Sequence, residues 1–224
     1  MKSQAQSLFL ILSSLFIAAL VCCNLIFQKF FIWSPFGIYN FEISAGIIPY
    51  PITFLVTDII SEIYGRKKAN SVVLSGLFAS IFVLGIVMVA NSVQATEWSP
   101  VNDATFSNVF GLTGIAVGAS MLAYLLAQFI DIRVFHFWKK LTNGKHLWLR
   151  NNASTFSSQL VDTATVLVLL CFAGGIAWDK FWVLLLNGFL FKVIMALIDT
   201  PILYLVINLI RKRFKLEVGE EIEI

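Results

Sequence analysis

Charge is scarce in this sequence: only 13% of its 224 residues are Asp, Glu, Lys or Arg, against about 25% in a typical soluble domain. A large solvated enzyme domain is therefore excluded. Histidine is limited to His136 and His146, which the pattern places in a basic loop, and no His-Glu-x-x-His metal motif occurs. Also missing are a Gly-x-Ser-x-Gly nucleophile turn, a Gly-x-x-x-x-Gly-Lys-Ser/Thr phosphate loop and any Gly-x-Gly-Asp ahead of an aspartate. Metalloprotease, serine hydrolase and ATPase chemistry thus lack their residues, and so does the aspartyl intramembrane protease pattern. The sequence points to no enzyme, no catalytic residue, no cofactor and no resident metal. The three cysteines, Cys22, Cys23 and Cys171, lie in apolar stretches without zinc-site spacing and read as packing residues.

What is abundant is apolar surface. Hydrophobic residues make up 58% of the chain and the mean hydropathy is +0.85. At ~20 residues per crossing, the length holds about six spans and little else. We expect an all-α integral membrane protein, a bundle of six transmembrane helices forming one transporter-sized domain over 1–224, with a short mobile acidic tail at about 217–224. Apolar runs place the spans near Leu8–Phe27, Ile43–Ile63, Ser71–Asn91, Val109–Ile130, Ala153–Ala177 and Phe181–Ile210. The first is too long for a signal-peptide core and no Ala-x-Ala site follows it, so it reads as a retained helix. The long fourth connection, from Asp131 to Asn152, has room for a short interfacial helix.

Lysine and arginine orient the bundle. Thirteen of the sixteen lie at the amino terminus, in the Arg66–Lys68 and Arg133–Arg150 connections and at the carboxyl end; only Lys29 and Lys180 lie opposite, and Lys192 falls inside a span. Both termini of this multi-pass chain are expected in the cytoplasm. Because the basic residues sit between apolar runs, the net charge of +3 implies no nucleic acid partner. Gly114, Gly118, Ala119, Ala123 and Ala127 set small residues along the fourth span, a pattern for close helix packing.

Ionisable groups at membrane depth cost ~3 kcal/mol each on insertion scales and persist where a partner, cavity or solute compensates them. Asp58 and Glu62 lie one turn apart on the second span. Glu62 is within reach of Arg66, while Asp58 is deeper with no local cation. The fifth span carries Ser154, Thr155, Ser158, Gln159, Asp162 and Thr163, with Asp162 ~14 Å along the axis and near the midplane. On the sixth, Lys192 and Asp199 are separated by ~10 Å, too far to pair. Lys192 can neutralise Asp162 or Asp58 or contact solute; we expect it to be coupled to Asp58, directly or through a bound base. Asp131 falls near enough to the interface to be solvated. Pro49-Tyr50-Pro51 interrupts the second span and Pro201 is expected to kink the sixth. Broken helices beside intramembrane carboxylates are the pattern of a midplane solute site in a secondary transporter.

The stretch Pro51-Ile-Thr-Phe-Leu-Val-Thr-Asp-Ile-Ile-Ser-Glu-Ile-Tyr-Gly-Arg66 resembles the hallmark of the queuosine precursor transporter family, once catalogued among vitamin uptake transporters. Asn24, Gln128-Phe-Ile-Asp131, Ser154 with Ser158-Gln-Leu-Val-Asp-Thr163, and Lys192 before Thr200-Pro201 follow in the family's order. The resemblance implies an importer of 7-deazaguanine bases, the precursors of the tRNA nucleoside queuosine, or of queuine. Its partners would be a small-molecule nucleobase, membrane lipid and a coupling ion, with proton, sodium and the solute gradient alone all open. The expected solute-binding set is Asn24, Phe54, Asp58, Gln128, Ser158, Gln159, Asp162 and Lys192. One carboxylate can accept both N1–H and the N2 amine of a guanine-like edge. Asp58 and Asp162 are the candidates for that edge and for an aminomethyl cation, in either order. The amides suit the lactam and ring nitrogens, and Phe54 can stack on the base. The competing reading is a solute-binding membrane subunit that needs a separate energising module.

Overall fold

The computed structural model describes residues 2–26, 29–37, 40–110, 114–172 and 177–223. Six of its helices are long and apolar enough to cross a membrane. The chain runs α1 (Lys2–Ile26), β1 (Phe30–Trp33), β2 (Phe41–Ser44), α2 (Tyr50–Ile63), α3 (Arg66–Ser92), α4 (Asp103–Phe110), α5 (Gly114–Leu141), α6 (Leu147–Phe172) and α7 (Phe181–Phe214). The all-α membrane bundle expected from composition is what the chain forms. Expected span positions at 27, 111–113 and 173–176 lie outside the described residues.

α2 is the buried centre. Ten of its fourteen residues are buried, whereas α1, α3 and α7 turn Leu10, Ile11, Phe78, Phe82, Leu205 and Leu209 outward, as lipid-facing helices must. α2 packs on α1, α3, α5 and α7, and the sequential pairs α5–α6 and α6–α7 form the rest of the bundle. Pro51 sits in the first turn of α2, where its missing N–H breaks no bond. The Pro49–Pro51 segment therefore starts this helix after a 3-10 turn over Ala45–Ile47. Gly65, at φ +82, turns the chain directly into α3. Gly76 allows α3 to approach α1: an added Cβ would stand 2.6 Å from Phe16 Cε1.

Several expected boundaries move. α5 continues to Leu141 and α6 begins at Leu147, so the long fourth connection with an interfacial helix shrinks to a tight turn. The basic residues Arg133, Lys139 and Lys140 belong to the last turns of α5 rather than to a loop, because long cationic side chains can snorkel while their backbone remains helical. His136 likewise lies on α5. α7 runs 34 residues through Pro201, and at ~51 Å it exceeds the ~30 Å hydrocarbon thickness, carrying Arg211–Arg213 past the apolar zone. Along α5, Ala123 and Ala127 are buried but Gly118 faces open space.

The connection between α1 and α2 holds an antiparallel hairpin, with Phe31 opposite Ile43 and Trp33 opposite Phe41. Trp33 and Phe41 pack on Phe191 of α7, ring centroids 5.1 and 6.2 Å away. At the other end of the bundle the two termini meet. Arg213 donates to Gln4 Oε1 at 3.0 Å, and the Tyr64 hydroxyl donates to the Ala5 carbonyl at 2.9 Å. Burial pushes the Tyr64 phenol up to about 12, keeping it a donor. The acidic tail lies against this end: Ile222 N–H donates to the Ile63 carbonyl at 2.7 Å and Glu221 pairs with Lys139 at 3.1 Å.

Candidate functional site

Three polar layers cross the bundle, and α2 contributes to each. At the termini end, Glu62 is fully buried and meets Arg211 of α7, Arg150 of α6 at 3.1 Å and Lys139 of α5 at 3.9 Å. Arg66, expected as its partner, makes no ion pair with it. A residue at the foot of α2 faces inward toward α5–α7, whereas Arg66 starts α3 on the far side of the Gly65 turn. Arg150 also donates to the Gly144 carbonyl at 3.1 Å and lies over the Phe135 ring. These contacts clamp four helices together at one point.

One turn deeper, Asp58 stands with its carboxyl group within hydrogen-bonding reach of that of Asp131 on α5. Asp58 is 3% exposed and Asp131 0%. Solvation of Asp131 at an interface is thus overturned: α5 extends ten residues beyond it, so it lies well inside the helix. Ser158 of α6 donates to Asp131 Oδ1 at 3.0 Å. Further toward the termini, Ser61 Oγ and His136 Nε2 are 2.7 Å apart across the same α2–α5 interface.

The third layer lies nearer the hairpin. Lys192 of α7 meets Asp162 of α6 at 2.5 Å and rests over the Tyr50 ring, 4.7 Å from its centroid. A direct Asp58–Lys192 pair is not formed; Lys192 meets Asp162 instead, because α6 and α7 are packed neighbours and turn these two residues toward each other. Beside the pair opens a narrow cleft between α2, α6 and α7. Tyr50 and Phe54 form an aromatic wall, their ring centroids 5.2 Å apart. Thr155 and Gln159 face it from α6, and Lys192, Met195 and Asp199 from α7. Phe191 joins the lining and supports the hairpin, which makes the strand pair the cleft's neighbour on that side.

Of the eight residues expected to bind solute, Phe54, Gln159 and Lys192 line this cleft. Asp162 stands behind Lys192 as its counter-ion. Asp58 and Ser158 belong to the Asp131 layer. Gln128 donates to the Tyr124 hydroxyl at 2.6 Å, and Tyr124 in turn abuts Tyr50 and Phe54, so it backs the aromatic wall. Asn24 on α1 is outside the lining, its Nδ2 buried without a hydrogen-bond partner among the described residues. Sequence reasoning missed Tyr50 and Asp199 as lining residues and placed Thr155 in the inward polar stripe without adding it to the binding set. Tyr50 was hidden between two prolines read only as helix breakers. Asp199 did carry a signal, a carboxylate two residues before Pro201 in an apolar span.

The arrangement provides a flat aromatic face, one amide with both donor and acceptor, the hydroxyls of Thr155 and Tyr50 and one carboxylate free of an ion pair. Gln159 Oε1 is buried without a hydrogen bond from any described residue, and Asp199 has no ion pair among them. Such a set can hold a planar, polar-edged solute between stacking and paired hydrogen bonds. Among the described residues, no group of three or more His, Cys, Asp or Glu is placed to hold a metal ion.

Comparison with known proteins agrees in scale with this bundle. Residues 44–206 match the sequence pattern of the family described as "Putative vitamin uptake transporter". The chain is 29% identical over 188 residues to the "Probable queuosine precursor transporter" of Bacillus subtilis (strain 168), covering 83% of this chain and 79% of that protein. It is 24% identical over 189 residues to the "Queuosine precursor transporter" of Escherichia coli (strain K12), covering 83% and 82%. No solved structure matches it.

Proposed function

On the premise that the chain belongs to the family described as "Putative vitamin uptake transporter", we propose that it is a multi-pass inner-membrane importer of queuosine precursors, carrying 7-deazaguanine bases for tRNA modification. The observation that carries this reading is the cleft beside the Asp162–Lys192 pair. It lies at mid-bundle, with Gln159 at the centre of the 26-residue α6 and the Asp199 carboxylate across from it.

A deazaguanine fits these groups by chemistry. Its N1–H and N2 amine are adjacent donors, and Asp199 is the cleft carboxylate able to accept both. Gln159 and Thr155 suit the lactam carbonyl and ring nitrogens, and Tyr50 with Phe54 offers the stacking face. Asp162, already held by Lys192, becomes the group that an aminomethyl cation on the base would share. The free cavity here is about 20 Å³, far below the ~300–1,000 Å³ usual for small-molecule sites. Entry of a base therefore requires the long side chains of Met195 and Lys192, or the hairpin on Phe191, to give way.

The Asp58–Asp131 contact lies outside this cleft, so we read a carrier rather than an aspartyl enzyme acting on a bound peptide. The distribution of basic residues supports an orientation with both termini in the cytoplasm and the hairpin end, where the cleft is nearest the surface, outside. Purified protein should bind 7-cyano- and 7-aminomethyl-7-deazaguanine, guanine or queuine in a titration where adenine, which lacks the N1–H and N2 donors, does not bind. Equal binding of adenine, or binding of none of these bases, would reject the reading.

A further inference from the structure

The Asp58–Asp131 contact is not explained by a solute cleft that it does not line. Two carboxylates in hydrogen-bonding reach offer each other only lone pairs, and the contact becomes a bond when one proton lies between them. Cations that might compensate both charges are engaged elsewhere: Lys192 with Asp162, and Arg150, Arg211 and Lys139 with Glu62. Neither Asp58 nor Asp131 makes an ion pair among the described residues. Asp58 Oδ1 and Asp131 Oδ2 are buried without any hydrogen bond that could satisfy an ionised group.

We propose that Asp58 and Asp131 form the coupling-proton site of this carrier, one proton held between their carboxyl groups crossing the membrane with each solute molecule. The proposal rests on the transporter reading above. The pair is asymmetric. Ser158 donates to Asp131 Oδ1 at 3.0 Å, which favours Asp131 as the ionised acceptor and leaves Asp58 as the carboxyl that carries the proton. Around the pair stand Glu62 on α2, Asp199 on α7, and Ser154 and Ser158 on α6. Glu62 is compensated by its three cations, which leaves Asp199 as the negative neighbour without an ion pair among the described residues and favours holding a proton at the pair over holding two bare carboxylates.

Two features connect the pair to its surroundings. Phe54 in the cleft wall and Asp58 in the pair are one turn apart on α2, so a shift of this helix on solute binding also changes the α2–α5 contact that holds the proton. Toward the termini, Ser61 and the half-buried His136 continue the same interface and offer a donor–acceptor step to water at that end. His136 is surrounded there by Lys139, Arg66, Arg150 and Glu221. A proton taken from water on the hairpin side would thus be released as H3O+ on the termini side, with no other reactant.

The test uses purified full-length protein in sealed liposomes with the membrane potential clamped, and labelled 7-cyano-7-deazaguanine as a neutral probe. Counterflow without a pH gradient is compared with uptake driven by an acidic exterior, while pyranine records lumenal pH. The wild type should accumulate the probe under the gradient, lose that accumulation with a protonophore and acidify the lumen as solute enters. In Asp131→Asn, and in Asp58→Asn, the ratio of gradient-driven uptake to counterflow should fall roughly tenfold or more, since the site can no longer load and release a proton. If either variant fails to fold, the wild-type pyranine record alone decides. Counterflow with no response to pH, accumulation driven by a sodium gradient instead, or pH-driven accumulation retained in folded Asn variants would overturn the proposal while leaving the solute reading intact. Absence of counterflow with every deazaguanine would overturn the solute reading, and the proton site with it.

Discussion

Lys192 Nζ and Asp162 Oδ2 meet at 2.5 Å across the α6–α7 interface, their side chains 12% and 7% exposed. Each therefore neutralises the other at a depth where neither could remain charged alone. Removing one partner of a buried pair strands the other and typically costs ~3–5 kcal/mol, whereas removing both is milder. Asp162→Ala and Lys192→Ala should each lower the melting temperature in detergent, and the double variant should recover much of the loss. Strictly additive losses would show that the two residues are not coupled.

Asp199 carries the prediction for solute recognition. Asp199→Asn keeps shape but replaces a charged acceptor of two donors, and a hydrogen bond to a charged group contributes ~1.5–3 kcal/mol. Binding of a deazaguanine should weaken by about ten- to a hundredfold, with little change in melting temperature, because Asp199 makes no ion pair with a described residue. Unchanged affinity in a folded variant would remove Asp199 from the donor edge.

Glu62 carries the prediction for stability. Glu62→Gln leaves Arg150, whose side chain is 0% exposed, and Arg211 without their carboxylate, while Lys139 keeps only Glu221. The loss should be ~3–5 kcal/mol, read as poor expression or a large fall in melting temperature. Glu62→Gln combined with Arg150→Met should be less damaging than Glu62→Gln alone. A melting temperature near wild type in the single variant would show that the cluster contributes little.

Orientation can be read by labelling. In a background with Cys22, Cys23 and Cys171 replaced by Ala, a cysteine at Asp103 should react with an impermeant reagent outside intact cells and one at Lys140 should not. The reverse pattern would invert the bundle.

The spans were legible because hydropathy over twenty residues does not depend on packing. The same holds for the polar residues of α2 and α6, whose spacing puts them on inward faces whatever the neighbours. Partner choice was not legible. Whether Lys192 meets Asp58 or Asp162 depends on which helix α7 packs against and how each is rotated, and neither is written in local spacing. Asp131 was misread because the cationic run from Arg133 to Lys140 marks where side chains reach water, not where the helix stops. The hairpin was missed because its four-residue strands lie in a connection whose apolar residues resembled the flanks of spans.

The most direct measurement of the central claim is uptake of a labelled 7-deazaguanine by this protein alone, in sealed liposomes without ATP or any second polypeptide. The account predicts saturable entry well above that of empty liposomes, competed by unlabelled guanine-edged bases and not by adenine. Entry equal to that of empty liposomes, or entry that appears only when an energising ATPase is added, would contradict it.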